Sequence, residues 1–254
     1  MSGRRPGGGG FARGVGDCGG TLQPATVTFP ALRDAGVTRA VSTLFVRRKT
    51  AEVAGDYCFN TPDEAHAAAL QQLALHRAWE ESGHLDLADL VPTQSKIKNQ
   101  KSKIASPLRV HLAMEGAAPI RHLDDADVFY KAGVRMVSLA WAEGTAWAGG
   151  DQSAQDEGDL TPEGRALVAR LDMLGVIHDV SHLSERAFWS LLEIARGPVV
   201  ASHSNCLALL PGAKYPQRHL SDAQIRALAA RPNSRIGINL FARFISDREI
   251  DFCG

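Results

Sequence analysis

Short runs of apolar, β-branched residues alternate along this chain with longer stretches in which apolar positions recur every three or four residues. The runs 37–46, 108–114, 134–139, 176–180, 198–202 and 235–240 read as strands. Helix-start chemistry lies between them. Thr61-Pro62-Asp63-Glu64 offers a threonine cap, a proline at the first helical position and acids in the first turn, and predicts a helix to about residue 82. Residues 123–131 predict a helix ending before Gly133, and Thr161-Pro162-Glu163 repeats the capping logic over 158–169. Two more helices are predicted over 184–195 and from Ser221-Asp222 to about Ala230. Strands alternating with helices in this way call for a parallel sheet with helices packed outside it. A closed barrel and an open doubly wound sheet both satisfy the pattern. No G-x-G-x-x-G or G-K-[ST] loop follows any strand, which weighs against a nucleotide-binding sheet.

The length, 254 residues, suits one domain and matches a (β/α)8 barrel. Residues 1–25, with Gly7 to Gly10 in series, lack the apolar content to order themselves and are expected to be flexible, leaving 26–254 as the folded part. A formal net charge of +0 argues against nucleic-acid or membrane-surface partners. The basic run Lys96, Lys98, Lys101, Lys103 reads as a solvated loop. Cys18, Cys58, Cys206 and Cys253 are widely spaced, which fits reduced thiols rather than a disulfide framework or a zinc finger. No apolar run is long enough to span a membrane, and residues 1–20 contain no apolar signal core, so a cytoplasmic setting is the default expectation.

Three residues that follow apolar runs carry potential chemistry. Glu115 ends the run from Leu108, His182 follows Val180-Ser181, and His203 follows Val199-Val200-Ala201-Ser202. Strand C-termini face the active site in parallel barrels, so one carboxylate and two imidazoles can converge there. That donor set suits zinc. Taken singly, each has a plain reading as a solvated loop carboxylate or a hydrogen-bonded surface histidine. His178 reads as a packed histidine. Asp179 fits equally as the partner of a ligating histidine or as a structural hydrogen-bond acceptor.

Several segments together resemble the membrane (renal) dipeptidase family of zinc metallopeptidases, which have an amidohydrolase-type barrel. They are Ala113-Met114-Glu115-Gly116, Gly133 to Leu139, Leu160-Thr161-Pro162-Glu163-Gly164-Arg165, Asp179-Val180-Ser181-His182 and Pro198 to Ser204, followed by Arg218 ahead of Leu220-Ser221-Asp222. The two histidines are separated by 21 positions, as in that family. The resemblance implies a metal-dependent (β/α)8 barrel that hydrolyses dipeptides. Glu115 would bridge two zinc ions, His182 and His203 would bind the second ion, and Arg218 would pair with the substrate's terminal carboxylate. A water between two zinc ions would titrate near ~7 and make hydroxide available at neutral pH. By composition alone, Arg218 would be an exposed surface charge.

The match departs from the family at four places. Nothing in residues 1–26 reads His-x-Asp, the pair that supplies the first zinc's other ligands, and the first histidine is His66. The terminal-strand aspartate that shuttles a proton has no counterpart, since Asp247 and Asp251 come too early in the order, so no proton-shuttle residue is assigned. Trp141 occupies the position of an oxyanion-stabilising histidine, and His219 that of an asparagine. The expectation is therefore a barrel lacking its first and last strands, with unpaired edges that favour aggregation or an edge-to-edge homo-oligomer. The functional alternatives are an inactive fragment of such an enzyme and a related amidohydrolase acting on another small amide or ester.

Overall fold

The computed structural model describes residues 27–50, 57–88, 107–154, 157–241 and 244–245. The glycine-rich segment 1–25, the basic run 96–103, Cys18, Cys253, Asp247 and Asp251 lie outside the described residues. In chain order the elements are α1 (Phe29–Asp34), β1 (Arg39–Phe45), β2 (Arg47–Arg48), β3 (Cys58–Phe59), α2 (Pro62–Glu81), β4 (Leu85–Leu87), β5 (Leu108–Glu115), α3 (Leu123–Lys131), β6 (Val134–Ser138), α4 (Pro162–Leu174), β7 (Ile177–Asp179), α5 (Glu185–Ile194), β8 (Val199–Val200) and α6 (Asp222–Ala229). The chain divides into two compact units, residues 1–42 with 70–112, and residues 43–69 with 113–254.

In the first unit, β4 runs parallel to the start of β5, pairing Leu85 with Leu108 and Leu87 with Val110. The Arg109 N–H donates to the Thr38 carbonyl at 3.0 Å. Helix α1 begins where the Thr28 side chain accepts from the Ala31 N–H, and it buries Phe29 against Trp79 and His84. His76, on α2, is buried; its Nδ1 donates to the Gln72 carbonyl at 2.7 Å and its Nε2 meets Ser42 Oγ at 2.8 Å.

The second unit holds the parallel core β6, β7, β8, with Met136 opposite Ile177 and His178 opposite Val199. Val134, Val137, Val176, Val180 and Val199 are buried, as expected of a parallel sheet covered on both faces. Helices α3, α4 and α5 pack in sequence along it. Four helix starts use side-chain caps, Thr61 on the Glu64 N–H, Thr161 on the Gly164 N–H, Ser184 on the Ala187 N–H, and a full Ser221–Gln224 capping box. Each cap satisfies an N–H that the first helical turn leaves without a partner. The predicted strand at 235–240 is reduced to one parallel bridge, Ala201 to Ile236. Cys58 and Cys206 are free thiols. Among the described residues no helix is long and apolar enough to cross a membrane.

His178 is fully buried and donates from Nε2 to Asp172 Oδ1 at 2.7 Å. Asp172 also accepts from the backbone N–H groups of Arg196 and Gly197, so it pins the end of α4 to the turn before β8. Burial lowers the pKa of His178 and of His76, and the hydrogen bonds that favour their charged forms do not reverse it. A histidine whose folded pKa is lowered binds fewer protons folded than unfolded. Its contribution is intact above the ordinary value near 6.5 and is lost as the pH falls below it. His182 is shifted the other way and offsets part of this. The melting temperature of the metal-free protein is therefore expected to fall between pH 7.5 and pH 5.5. In His178→Gln the fall should be shallower, whatever that variant's absolute stability. An unchanged slope would remove His178 from the account.

Candidate metal centre

The second unit brings Glu115, His182 and His203 together. One ligand atom from each lies within 4.8 Å of the others. Glu115 Oε1 is 3.2 Å from His182 Nε2 and 3.3 Å from His203 Nε2, and the two Nε2 atoms are 3.0 Å apart. Glu115 is the last residue of β5, and the chain then turns through Gly116 at φ 84°. A Cβ at Gly116 would press on Trp141 Cβ at 3.2 Å, so the glycine serves both the turn and the packing of that indole. His182 sits just beyond β7 at φ 69°, a left-handed conformation that costs a non-glycine residue about 1 kcal/mol. His203 follows β8.

The other ring nitrogen of each histidine is already engaged. His182 Nδ1 donates to Asp151 Oδ2 at 2.7 Å. His203 Nδ1 donates to Ser202 Oγ at 2.6 Å, and Ser202 Oγ donates in a short bond to Asp179 Oδ2. Asp179 Oδ1 accepts from the Ser181 and Ser202 N–H groups, each at 3.0 Å. Asp179 thus supports His203 through one hydroxyl while tying β7 to β8. With both Nδ1 atoms carrying the proton, two bare Nε2 lone pairs and a carboxylate oxygen face one another. That arrangement is repulsive unless a cation is shared, and its donor set fits a zinc-type ion.

Without a metal, a proton from the histidines can play the cation's part. Burial opposes the charged form of Glu115, but hydrogen bonds from His182 and His203 outweigh it and hold the carboxyl well below its usual range. Burial likewise opposes charge on His182, and Asp151 with Glu115 overcomes it and raises the pKa.

Asp151 was not among the residues picked from the sequence. It lies between β6 and α4, is 4 % exposed, and serves two partners, since its Oδ2 is also 3.7 Å from Arg218 Nε. The loop that carries it is pinned by antiparallel bridges of Ala148 to Leu160 and Gly150 to Leu183, the latter beside His182. Its only sequence signal is an acid after Gly149-Gly150 in a stretch without helix or strand periodicity. Replacing Asp151 with alanine is expected to weaken zinc binding about 10–100-fold, the usual effect of losing a partner that orients a ligating histidine. Titration of a zinc indicator checks this, and an affinity within twofold of the parent would show that Asp151 does not orient His182.

Arg218 is placed differently from a surface charge. It is 4 % exposed, with Nη2 donating to the His203 carbonyl at 2.7 Å and Nη1 to Ser204 Oγ at 3.3 Å. Its guanidinium also lies 5.2 Å from the Phe244 ring centroid. His219 is equally buried. Trp141 lies 5.8 Å from the His182 ring, with Phe45 edge-on to it at 5.2 Å.

Comparison with known proteins gives the family. The family described as membrane dipeptidase (peptidase family M19) matches residues 20–251. An uncharacterized protein in the PQQ-III 3' region of Acinetobacter calcoaceticus is 29% identical over 192 residues, which is 73% of this chain and 58% of that protein. Dipeptidase tcpJ of Claviceps purpurea is 35% identical over 96 residues, 37% of this chain and 23% of that protein. A metallopeptidase from Rhodobacter sphaeroides, solved with a phosphinate mimic of the dipeptide L-Ala-D-Ala, superposes with TM-score 0.67 at 22% identity, covering 86% of this chain and 66% of that one. The chain therefore spans less than two thirds of each of these relatives, and it shares its α/β fold with the Rhodobacter sphaeroides structure.

Proposed function

Because the chain belongs to the membrane dipeptidase family, we propose that it acts as a zinc-dependent dipeptidase whose Glu115, His182 and His203 hold the metal. The observation that carries this reading is the convergence of three donor atoms within 4.8 Å, with both imidazole Nδ1 protons committed elsewhere. Zinc in such a site supplies Lewis acidity and brings water towards deprotonation at neutral pH. The residues do the rest. Asp151 and Ser202 fix which imidazole nitrogen is bare. Glu115, whose Oε1 faces both histidines, would supply the anionic ligand to the metal. Arg218 places positive charge behind His203. Its Nη atoms are engaged by His203 and Ser204, so pairing with a substrate's terminal carboxylate requires those bonds to be exchanged.

The test is reconstitution. The chain is stripped with a chelator, titrated with zinc, and assayed against L,L- and L,D-dipeptides beside N-acyl amino acids and simple esters. Zinc bound at the Glu115, His182 and His203 cluster and turnover preferring dipeptides are expected. Turnover confined to the N-acyl compounds or esters would shift the substrate class to another small amide or ester. One ion or none, with no turnover of any compound, would establish the chain as an inactive relative.

A further inference from the structure

We propose that Arg47 is a specificity-determining residue that takes a carboxylate of the substrate on the Trp141 side of the metal cluster. This deepens the dipeptidase reading and rests on it. The observation is a guanidinium held in place with no carboxylate partner among the described residues. Arg47 Cζ lies 5.1 Å over the Trp141 ring, and that ring is 5.8 Å from the ring of His182. The backbone beneath it is fixed, because β2 pairs in parallel with β3, Arg47 opposite Cys58, and the Arg47 N–H donates to the Tyr57 carbonyl at 3.1 Å. The platform is fixed too, with Phe45 edge-on to Trp141 and Gly116 giving it room. Arg47 is exposed, and among the described residues no acid pairs with it. Arg48 is stacked in the same manner, 5.5 Å from the Phe59 ring, so the arm presents two consecutive guanidinium groups.

The chemistry follows from contrast with Arg218. That guanidinium is 4 % exposed and already donates to His203 and Ser204, whereas no described acid occupies the Arg47 fork, which can donate to a planar anion. Stacking on an indole removes much of the conformational entropy that an arginine ordinarily loses on binding, so little further ordering is needed. Arg47 Cζ at 5.1 Å and the His182 ring at 5.8 Å are both neighbours of the one Trp141 ring, so a dipeptide, about 7 Å long when fully extended, can lie at the cluster and bring a carboxylate to the fork. The anion is either the dipeptide's terminal carboxylate or an aspartate or glutamate side chain in it.

The experiment compares the zinc-loaded parent with Arg47→Gln and Arg47→Lys. Each is assayed for turnover and equilibrium binding of a neutral dipeptide such as Ala-Ala and an acidic one such as Ala-Asp. With a side-chain carboxylate, Arg47→Gln raises KM or Kd for Ala-Asp at least tenfold and leaves Ala-Ala within twofold. With the terminal carboxylate, both dipeptides weaken at least tenfold while kcat holds. In either case Arg47→Lys restores part of the affinity, since it returns the charge without the fork. Changes below threefold for both dipeptides in Arg47→Gln, in a parent that binds them, would overturn the role of Arg47 alone. A zinc-loaded parent that neither binds nor hydrolyses any dipeptide would overturn the dipeptidase reading and this inference with it.

Discussion

Glu115→Gln is expected to abolish dipeptide hydrolysis and to weaken zinc binding at least 100-fold while leaving the metal-free fold intact. The substitution keeps size and shape and removes one negative charge. In the parent, that charge lies 3.2 and 3.3 Å from two imidazole Nε2 atoms and is the only anionic member of the cluster. A neutral amide oxygen is a weaker zinc donor, and its NH2 group can rotate towards the histidines, where it competes with the ion. A 100-fold loss corresponds to about 2.7 kcal/mol of binding. Because Glu115 lies at the end of β5 and is only partly buried, the apo protein should keep its circular dichroism spectrum and melt within a few degrees of the parent. Indicator titration, turnover and thermal melting on one preparation separate the effects. Zinc affinity unchanged in Glu115→Gln would mean that the three residues meet for a structural reason, and the hydrolase assignment would lose its support.

That these three residues could be found from the chain alone has a physical cause. Glu115 and the two histidines each follow closely on an apolar run, and in a parallel sheet the ends of such runs lie at one edge. The capped helices were legible for a similar reason. Thr61, Thr161, Ser184 and Ser221 are all polar residues one step ahead of a helical pattern, and each is bonded to an N–H of the first turn. Asp151 was not legible, because it approaches His182 across 31 positions through a loop with no periodicity. Nor was the burial of Arg218, since nothing local shows that His203 and Ser204 lie across from it. Helix α1 spans six residues, too few for a period to register. Helix α4 runs on to Leu174 rather than ending near residue 169, and its true stop is Gly175 at φ 71°. The run 235–240 has strand composition. The Gly237 N–H bonds to the Ala201 carbonyl and the Gly237 carbonyl accepts from the Ser204 N–H, each at 2.8 Å, but the strand pairing is the single Ala201–Ile236 bridge.

Gly164→Ala is expected to be strongly destabilising, and to weaken zinc binding from a distance. Gly164 is in the first turn of α4, where its N–H donates to Thr161 Oγ1 at 2.9 Å. A methyl there would fall well inside van der Waals contact of the Trp147 carbonyl oxygen. Neither side can yield cheaply. The Trp147 carbonyl accepts from the Thr161 N–H at 3.0 Å, and its indole Nε1 donates to the carbonyls of Ala117 and Ile120 at 3.1 and 3.0 Å. Relief requires moving the loop that contains Gly149 and Asp151, which the Ser184 N–H holds at 3.1 Å through the Gly149 carbonyl. Overpacking against backbone of this kind costs about 3 kcal/mol, or roughly 6–12 °C in melting temperature for a chain of this size. Gly175→Ala is the matched control. Its left-handed φ of 71° makes a side chain unfavourable by about 1 kcal/mol, but no atom lies within 4 Å of the added methyl. It should lower the melting temperature by roughly 2–4 °C and leave zinc affinity unchanged. Equal losses of stability in the two variants, or full zinc affinity in folded Gly164→Ala, would show that the loop carrying Asp151 is not held in place by the start of α4.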